Sequence, residues 1–523
     1  MDIVIGKNVI ENLTTGMYED SKIIFREYIQ NSADQIDKAI VNGLLKQNEG
    51  YIDINLDYQS RKISIKDNAT GISQNNFVKI LSDIANSEKD RNTDKGFRGI
   101  GRLGGLAYCE KLIFKSSYYG ENKELEMIWD GLKLKEILND HTNKIEAAQL
   151  IKNIISTNIH EADINDHYFE VILDGVYSEN SELLDEKRVE QYLQEVAPVP
   201  YASTFYFKTE IKNFADKNKF KIDEYCIHLN GKEILKPYRI DIYEGDINNK
   251  KICDKIKDLK FEILEYNNTI YGWMWYGISR FEKQMQTINL MRGIRLRKEN
   301  IQIGDSNTLG TNKFFKETRG NYYFIGEVFV TSKDLIPNAR RDYFNRNSAC
   351  ENFEYALSSI TYEPLYKLYH YANDLKNALK KETKNFEEIT KITNDLKNGD
   401  VIDKEEHNKK VLSLEENQKS IEKLHDDVEK IKSKLYKNDN DVFKRVAEAI
   451  QEQYSYNKED ILQENLEIDE IKKNRNYKTQ ELSKLNKREQ KLVSKIYQII
   501  QQKLPTEMAA ELINTIQEEL KHG

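Results

Sequence analysis

The sequence predicts an α+β region followed by an all-helical region, and three observations carry that expectation. Up to about Asn345, strand-like runs such as "YIDINLDY", "KISIKD", "KLIFKSSYY", "YFEVILDGV" and "YYFIGEVFV" alternate with helical stretches. Beyond Pro364, apolar residues recur at spacings of three and four with no strand-like run between them. The 523 residues include only six prolines and are 32% charged, the composition of a helix-rich chain in water.

The first long helix is predicted over "FREYIQNSADQIDK", Phe25 to Lys38. Its polar residues Glu27, Asn31 and Asp34 stand at i, i+4 and i+7, so they share one side. Such a row either faces water or lines a site. Downstream, "ISIKDNATGIS" places Asp67 at the end of an apolar strand, with Gly71 in a tight turn four residues later. "KGFRGIGRLGGLAY" then supplies Gly96, Gly99, Gly101, Gly104 and Gly105 ahead of an apolar segment. Glycines in that position let backbone N–H groups approach phosphate oxygens.

In the helical region, Leu365, Leu368, Ala372, Leu375, Leu379, Phe386, Ile389 and Leu396 form a heptad-like seam, interrupted at Glu382 and Thr393. It stops at Asn398-Gly399, where a turn is expected, and Asp403 with Glu406 reads as a capping box for the next helix. A second series follows through Leu414, Asn417, Ile421, Leu424, Val428, Ile431 and Leu435. Two such helices joined by a short loop most simply fold back antiparallel, with parallel pairing in a dimer as the alternative. The last helix is amphipathic around Leu512, Ile513, Ile516 and Leu520.

A net charge of −8 gives no general attraction to nucleic acid or anionic membrane. The cysteines at 109, 226, 253 and 350 form no C-x-x-C pair, and the eight histidines show no metal-ligand spacing. A basic start followed by an apolar run is missing, and no stretch approaches the roughly 18 apolar residues of a membrane span. A cytoplasmic protein with no membrane partner is expected.

Taken singly, the polar helix face, the D-x-x-x-G turn and the glycine cluster each have an ordinary structural explanation. Their conjunction in this order, with no G-x-x-x-x-G-K-[ST] elsewhere, resembles the GHKL or Bergerat-fold ATPases: gyrase, the heat-shock protein 90 chaperones, histidine kinases and MutL. "LTTGMYEDSKIIFREYIQNSADQIDK" is most similar to the first helices of the heat-shock protein 90 branch. That resemblance implies ATP with Mg2+ as cofactors. It implies Glu27 as general base, Asn31 as magnesium ligand, Asp34 as a pocket-wall carboxylate, Asp67 as the reader of adenine and Gly71 as the glycine beneath the base. It further implies a lid around Ser87 to Gly99 and a phosphate turn of Gly101, Gly104 and Gly105. Leu106 and Ala69 depart from the family pattern, each standing where a glycine is frequent, and "GFRG" is similar to MutL.

"RVEQYLQEVAPVPY" resembles the helix leading out of such a nucleotide domain, and "INLMRGIRLRKENIQIGD" with "GEVFVTSKDLIPNARRDYF" resembles a transducer domain. "LIPNARRDYF" is similar to the chaperones' catalytic loop, which puts Arg341 at the γ-phosphate, with Arg340 as the adjacent alternative. The implied architecture is a Bergerat-fold ATPase sandwich over residues 1–205, a ribosomal-S5-like transducer over 206–350, a coiled-coil hairpin over 351–440 and a helical, dimerising region over 441–523. The expected function is that of an ATP-hydrolysing, nucleotide-gated homodimeric clamp of chaperone type with a protein client. Two other readings stand beside it. One is a MORC-like ATPase acting on duplex DNA, in bacterial defence against phage; the other is a non-catalytic coiled-coil scaffold.

Overall fold

A computed structural model describes residues 5–14, 20–84, 101–140, 142, 144–454 without 437–440, 477–482 and 484–522. These residues form two compact units, Met1–Tyr366 and Lys367–Gly523. The five strand-like runs named from the sequence are all strands.

The first unit opens with α1 (Asn8–Thr14), α2 (Ile23–Val41), β1 (Tyr51–Asp57), β2 (Lys62–Asp67) and α3 (Gln74–Ser82). After a 3-10 turn at Gly101–Ala107 come β3 (Cys109–Ser117), β4 (Lys123–Asp130), α4 (Gly131–Asn139), α5 (Ala147–Ile154), β5 (Ile155–Glu161) and β6 (Tyr168–Val176). α6 (Glu186–Val196), α7 (Lys208–Lys217), β7 (Cys226–Leu229) and β8 (Lys232–Glu233) complete the first half. The eight strands form one sheet in the order β5-β4-β3-β6-β2-β1-β7-β8, antiparallel except where β7 runs parallel to β1. The sheet thus extends beyond residue 205, where the sequence suggested a domain boundary, because Ile227 and Leu229 continue its buried face.

Alternation explains the layering. In β1 and β2 every second residue (Ile52, Ile54, Ile63, Ile65) is buried, so one face of the sheet needs a cover. α2 supplies it with Ile24, Phe25, Ile29, Ala33 and Ile36, which join the strand residues in one apolar cluster. The helix ends at Asn42, whose N–H bonds to Lys38 O at 2.9 Å, and Gly43 follows in the left-handed region at φ +75°.

The second half of this unit carries β9 (Asp241–Glu244), β10 (Lys251–Lys255), β11 (Asp258–Tyr266), β12 (Thr269–Ile278), β13 (Gly293–Lys298), β14 (Ile301–Ile303) and β15 (Ile325–Val330), then α8 (Ser348–Ile360). Five of these strands form a sheet in the order β11-β12-β15-β13-β14, with β13 and β15 parallel. A fully buried charge cluster joins this sheet to the first half. Glu327 on β15 accepts from Lys236 Nζ at 2.8 Å, from Arg297 on β13 and from the Tyr201 hydroxyl. Arg297 also donates to the carbonyl of Glu195 on α6 at 2.9 Å, and Arg295 pairs with the Glu195 side chain at 3.4 Å. Against the pull of burial, Arg297 and Lys236 hold the Glu327 carboxyl down at about 2.

The second unit is helical: α9 (Tyr366–Lys397), α10 (Lys404–Tyr436), α11 (Asp441–Gln451), α12 (Lys487–Lys503) and α13 (Thr506–His522). α9 and α10 run antiparallel, since Asp395 pairs with Lys410 at 2.8 Å and Glu382 Oε1 accepts from His425 Nδ1 at 3.0 Å further out. Their seam buries Ile389, Leu396, Leu414 and Ile421. The turn at Gly399 has φ +69°, and Asp403 caps α10 through Glu406 N at 3.0 Å. Glu406 completes the cap one residue earlier than a capping box would, accepting from Ile402 N at 2.9 Å. Among the described residues no helix is long and apolar enough to cross a membrane.

Candidate nucleotide site

The apolar side of α2 packs in the sheet's core, and Glu27, Asn31 and Asp34 share another side of the same helix. Glu27 and Asp34 are buried and Asn31 is half-buried. Buried carboxylates are costly unless something compensates them, so this row is no ordinary solvated face.

Asp67, the last residue of β2, is 1% exposed. Its Oδ1 accepts from Ala69 N at 3.1 Å, whereas its buried Oδ2 makes no well-formed hydrogen bond among the described residues, the Ser32 hydroxyl lying near the carboxyl. Burial pushes the carboxyl up to about 6, against the Ser32 hydroxyl and the backbone N–H groups of Ala69 and Phe169. A carboxylate oxygen left unpaired in a dry site is an acceptor waiting for a donor.

The turn after Asp67 is fixed from several sides. Asn68 accepts from Tyr51 N at 2.8 Å, the Ala69 carbonyl faces His167 Nδ1 at 2.9 Å, and Ile72 N donates to Ser116 Oγ at 2.7 Å. Gly71 sits at φ +67°, and a Cβ there would lie 2.0 Å from the Ser117 carbonyl. No side chain fits. The Ala69 methyl is fully buried, so this departure from the family pattern is absorbed by packing.

The glycine-rich turn lies beside α2. A Cβ on Gly101 would come within 2.2 Å of Glu27 Oε2, so the absence of a side chain lets the turn lie against the carboxylate. Gly104 and Gly105 are buried, and Leu106 belongs to the core beneath them, which explains why a bulky residue is accepted there. Gly105 N donates to the Tyr28 hydroxyl at 3.0 Å. Gly96, and the expected lid residues Ser87 and Gly99, lie outside the described residues.

From the second sheet, the loop after β15 brings in an arginine. Arg341 Nε is 2.8 Å from Glu27 Oε1, and Arg26 Nη2 donates to the Arg340 carbonyl at 3.2 Å. The Arg341 carbonyl accepts from Gly304 N at 2.8 Å, and its backbone is held at φ +55°. A non-glycine residue there costs about 1–3 kcal/mol, which the surrounding contacts must offset. The Arg340 side chain is exposed, so within one chain it is Arg341 that reaches Glu27.

The structure thus brings Glu27 against Gly101 and Arg341, and Tyr28 against Arg102 and Gly105, while Asp67 and Gly71 share the turn after β2. Sequence reasoning missed Arg26, Tyr28 and His167, which touch this assembly. No sequence signal singled out Tyr28, because a tyrosine beside apolar residues in a helix is ordinarily explained by packing.

Residues 19–164 match the family described as histidine kinase-, DNA gyrase B-, and HSP90-like ATPase. Over these residues the chain is similar to GHKL-type ATPase domains. The chain is also similar to the chaperone protein HtpG of Helicobacter pylori strain J99, 22% identical over 459 residues that cover 79% of this chain and 67% of that protein. The HtpG of Helicobacter pylori strain 26695 is 21% identical over 66% of this chain and 55% of its own length. That of Buchnera aphidicola is 28% identical over 25% of this chain and 24% of its own length. The chain thus spans between about half and two thirds of the Helicobacter relatives.

Proposed function

We propose that this chain binds and hydrolyses ATP and uses the cycle to open and close a homodimeric clamp of chaperone type. The observation that carries the reading is Arg341, delivered by the second sheet to within 2.8 Å of Glu27. A buried carboxylate on α2 and a half-buried cation from the loop after β15, side by side next to a glycine-rich turn, match the needs of phosphoryl transfer to water: a carboxylate to orient the nucleophile and a cation to take up charge on the γ-phosphate.

Asp67 Oδ2 would accept the exocyclic amine of adenine; guanine presents an oxygen there and would be repelled. Asn31 would offer one amide oxygen to Mg2+, whose remaining ligands come from phosphates and water. Among the described residues no group of three or more His, Cys, Asp or Glu could hold a metal alone, so on this reading the ion arrives with the nucleotide. Its chemistry there is to neutralise phosphate charge.

The dimer is supported by the second unit. Leu492, Ile496 and Ile499 on α12, with Met508 and Leu512 on α13, are exposed at helical spacing, and each large apolar side chain gains about 1.5–3 kcal/mol on full burial. A second copy offers the same stripe. The client is a protein by analogy with the HtpG relatives. The nucleotide reading is tested by calorimetric titration of ATP and GTP into the wild-type chain and Asp67→Asn. ATP alone should bind tightly, and the variant should weaken it at least about tenfold. Equal binding of the two nucleotides, or an unchanged variant, contradicts it.

A further inference from the structure

The Tyr28 hydroxyl is engaged twice by the glycine-rich turn. It donates to the Arg102 carbonyl at 3.0 Å and accepts from Gly105 N at 3.0 Å, and Tyr28 is 2% exposed. A Cβ on Gly105 would lie 2.5 Å from the hydroxyl oxygen, so the missing side chain is what lets the two groups meet. On the same helix, Glu27 lies against Gly101 at the start of the turn. Consecutive residues of α2 therefore hold one seven-residue turn, Gly101–Ala107, Glu27 at its first residue and Tyr28 at its second and fifth.

Two consequences follow. The N–H of Gly105 is already committed to Tyr28, so it is spoken for before any phosphate arrives, and the cradle must be made by other groups of the turn. The turn is also fixed relative to Glu27 by the covalent geometry of one helix, because the carboxylate and the phenol are neighbours in the chain.

We infer that Tyr28 is a positioning residue, whose hydroxyl sets the glycine-rich turn for the phosphates of the nucleotide while touching neither phosphate nor base. This rests on the nucleotide reading of the site given above. Asp67, which would read the base, lies at the end of β2 and makes no hydrogen bond to Tyr28, so base recognition and phosphate positioning are separable in this chain.

The test is a comparison of adenosine with a non-hydrolysable ATP analogue, by calorimetry on the full chain and on Tyr28→Phe. The phenylalanine keeps the ring and leaves the buried Gly105 N–H without an acceptor. Affinity for the analogue should fall about tenfold while that for adenosine stays within about twofold, since a lost buried hydrogen bond of this kind is felt only by what the turn contacts. Equal loss for both ligands, or no loss for either, overturns the inference. If the wild-type chain binds neither ligand, the nucleotide reading itself has failed, which is a different result.

Two further measurements guard against a variant that folds poorly. Amide exchange at Gly105 in the free wild-type chain should be strongly slowed; rapid exchange there means the bond to Tyr28 does not form. Gly105→Ala should weaken the analogue on its own, and combining it with Tyr28→Phe, which removes the oxygen the new methyl meets, should cost less than the product of the two single effects. Strict additivity overturns the inference.

Discussion

At the residue scale, Asp67 is the group whose chemistry is most exposed to measurement. Its folded-state pKa is raised from 3.8 to about 6 by burial, so the folded chain holds this proton more tightly than the unfolded chain does. The associated stability is complete below about pH 4 and is lost as pH rises through about 6. Relative to Asp67→Asn, which does not titrate, the wild-type chain should lose about 2 kcal/mol of unfolding free energy between pH 4 and pH 7. Denaturant unfolding of both proteins at the two pH values checks this, and a constant difference contradicts it. Glu27→Ala should bind ATP yet turn it over about 10²–10⁴-fold more slowly, the range for a positioned general base. Near-normal phosphate release by that variant removes Glu27 from the role. Both residues were legible in the sequence because spacing puts a polar row on one helix face and an aspartate at a strand end. Tyr28 was not, because a tyrosine in a helix is usually explained by packing, and only the fold shows the turn lying across its hydroxyl.

At the element scale, the alternation of β1 and β2 and the apolar side of α2 were readable. The return of β7 to pair with β1 was not. A four-residue strand after a helix carries no signal of the sheet it will join, and its choice is made by long-range pairing. The same holds for the joint between the two sheets, where Tyr201, Lys236, Arg297 and Glu327 come from four distant stretches. Removing the shared carboxylate leaves two buried cations without their partner. Glu327→Ala should therefore destabilise the first unit by about 3–5 kcal/mol, the usual cost of breaking a buried ion pair. Chemical denaturation followed by tryptophan fluorescence suits this, since Trp273 and Trp275 are buried in the same sheet; a change under about 1 kcal/mol would mean the cluster is not what joins the sheets.

For the whole molecule, the compact unit of residues 1–366 contains both the candidate site and Arg341, which pairs with Glu27 there. The buried joint and the Arg26 to Arg340 bond hold the arginine loop against α2 within one chain. The heptad pattern did foretell two long helices, and an antiparallel return followed from the short turn at Gly399. It could not foretell which apolar stripe stays outside, because the periodicity of α12 and α13 serves an internal seam and an external one alike. Replacing Leu492 and Ile499 with aspartate should convert a dimer to a monomer in sedimentation equilibrium; an unchanged dimer places the interface elsewhere. The account as a whole turns on whether a residue of the second sheet acts on nucleotide bound at the first. Phosphate release by the full chain carrying Arg341→Ala, at saturating ATP, measures that directly. The account predicts unimpaired ATP binding with turnover about 10³-fold lower or worse, as for other arginine fingers; full wild-type turnover would contradict it.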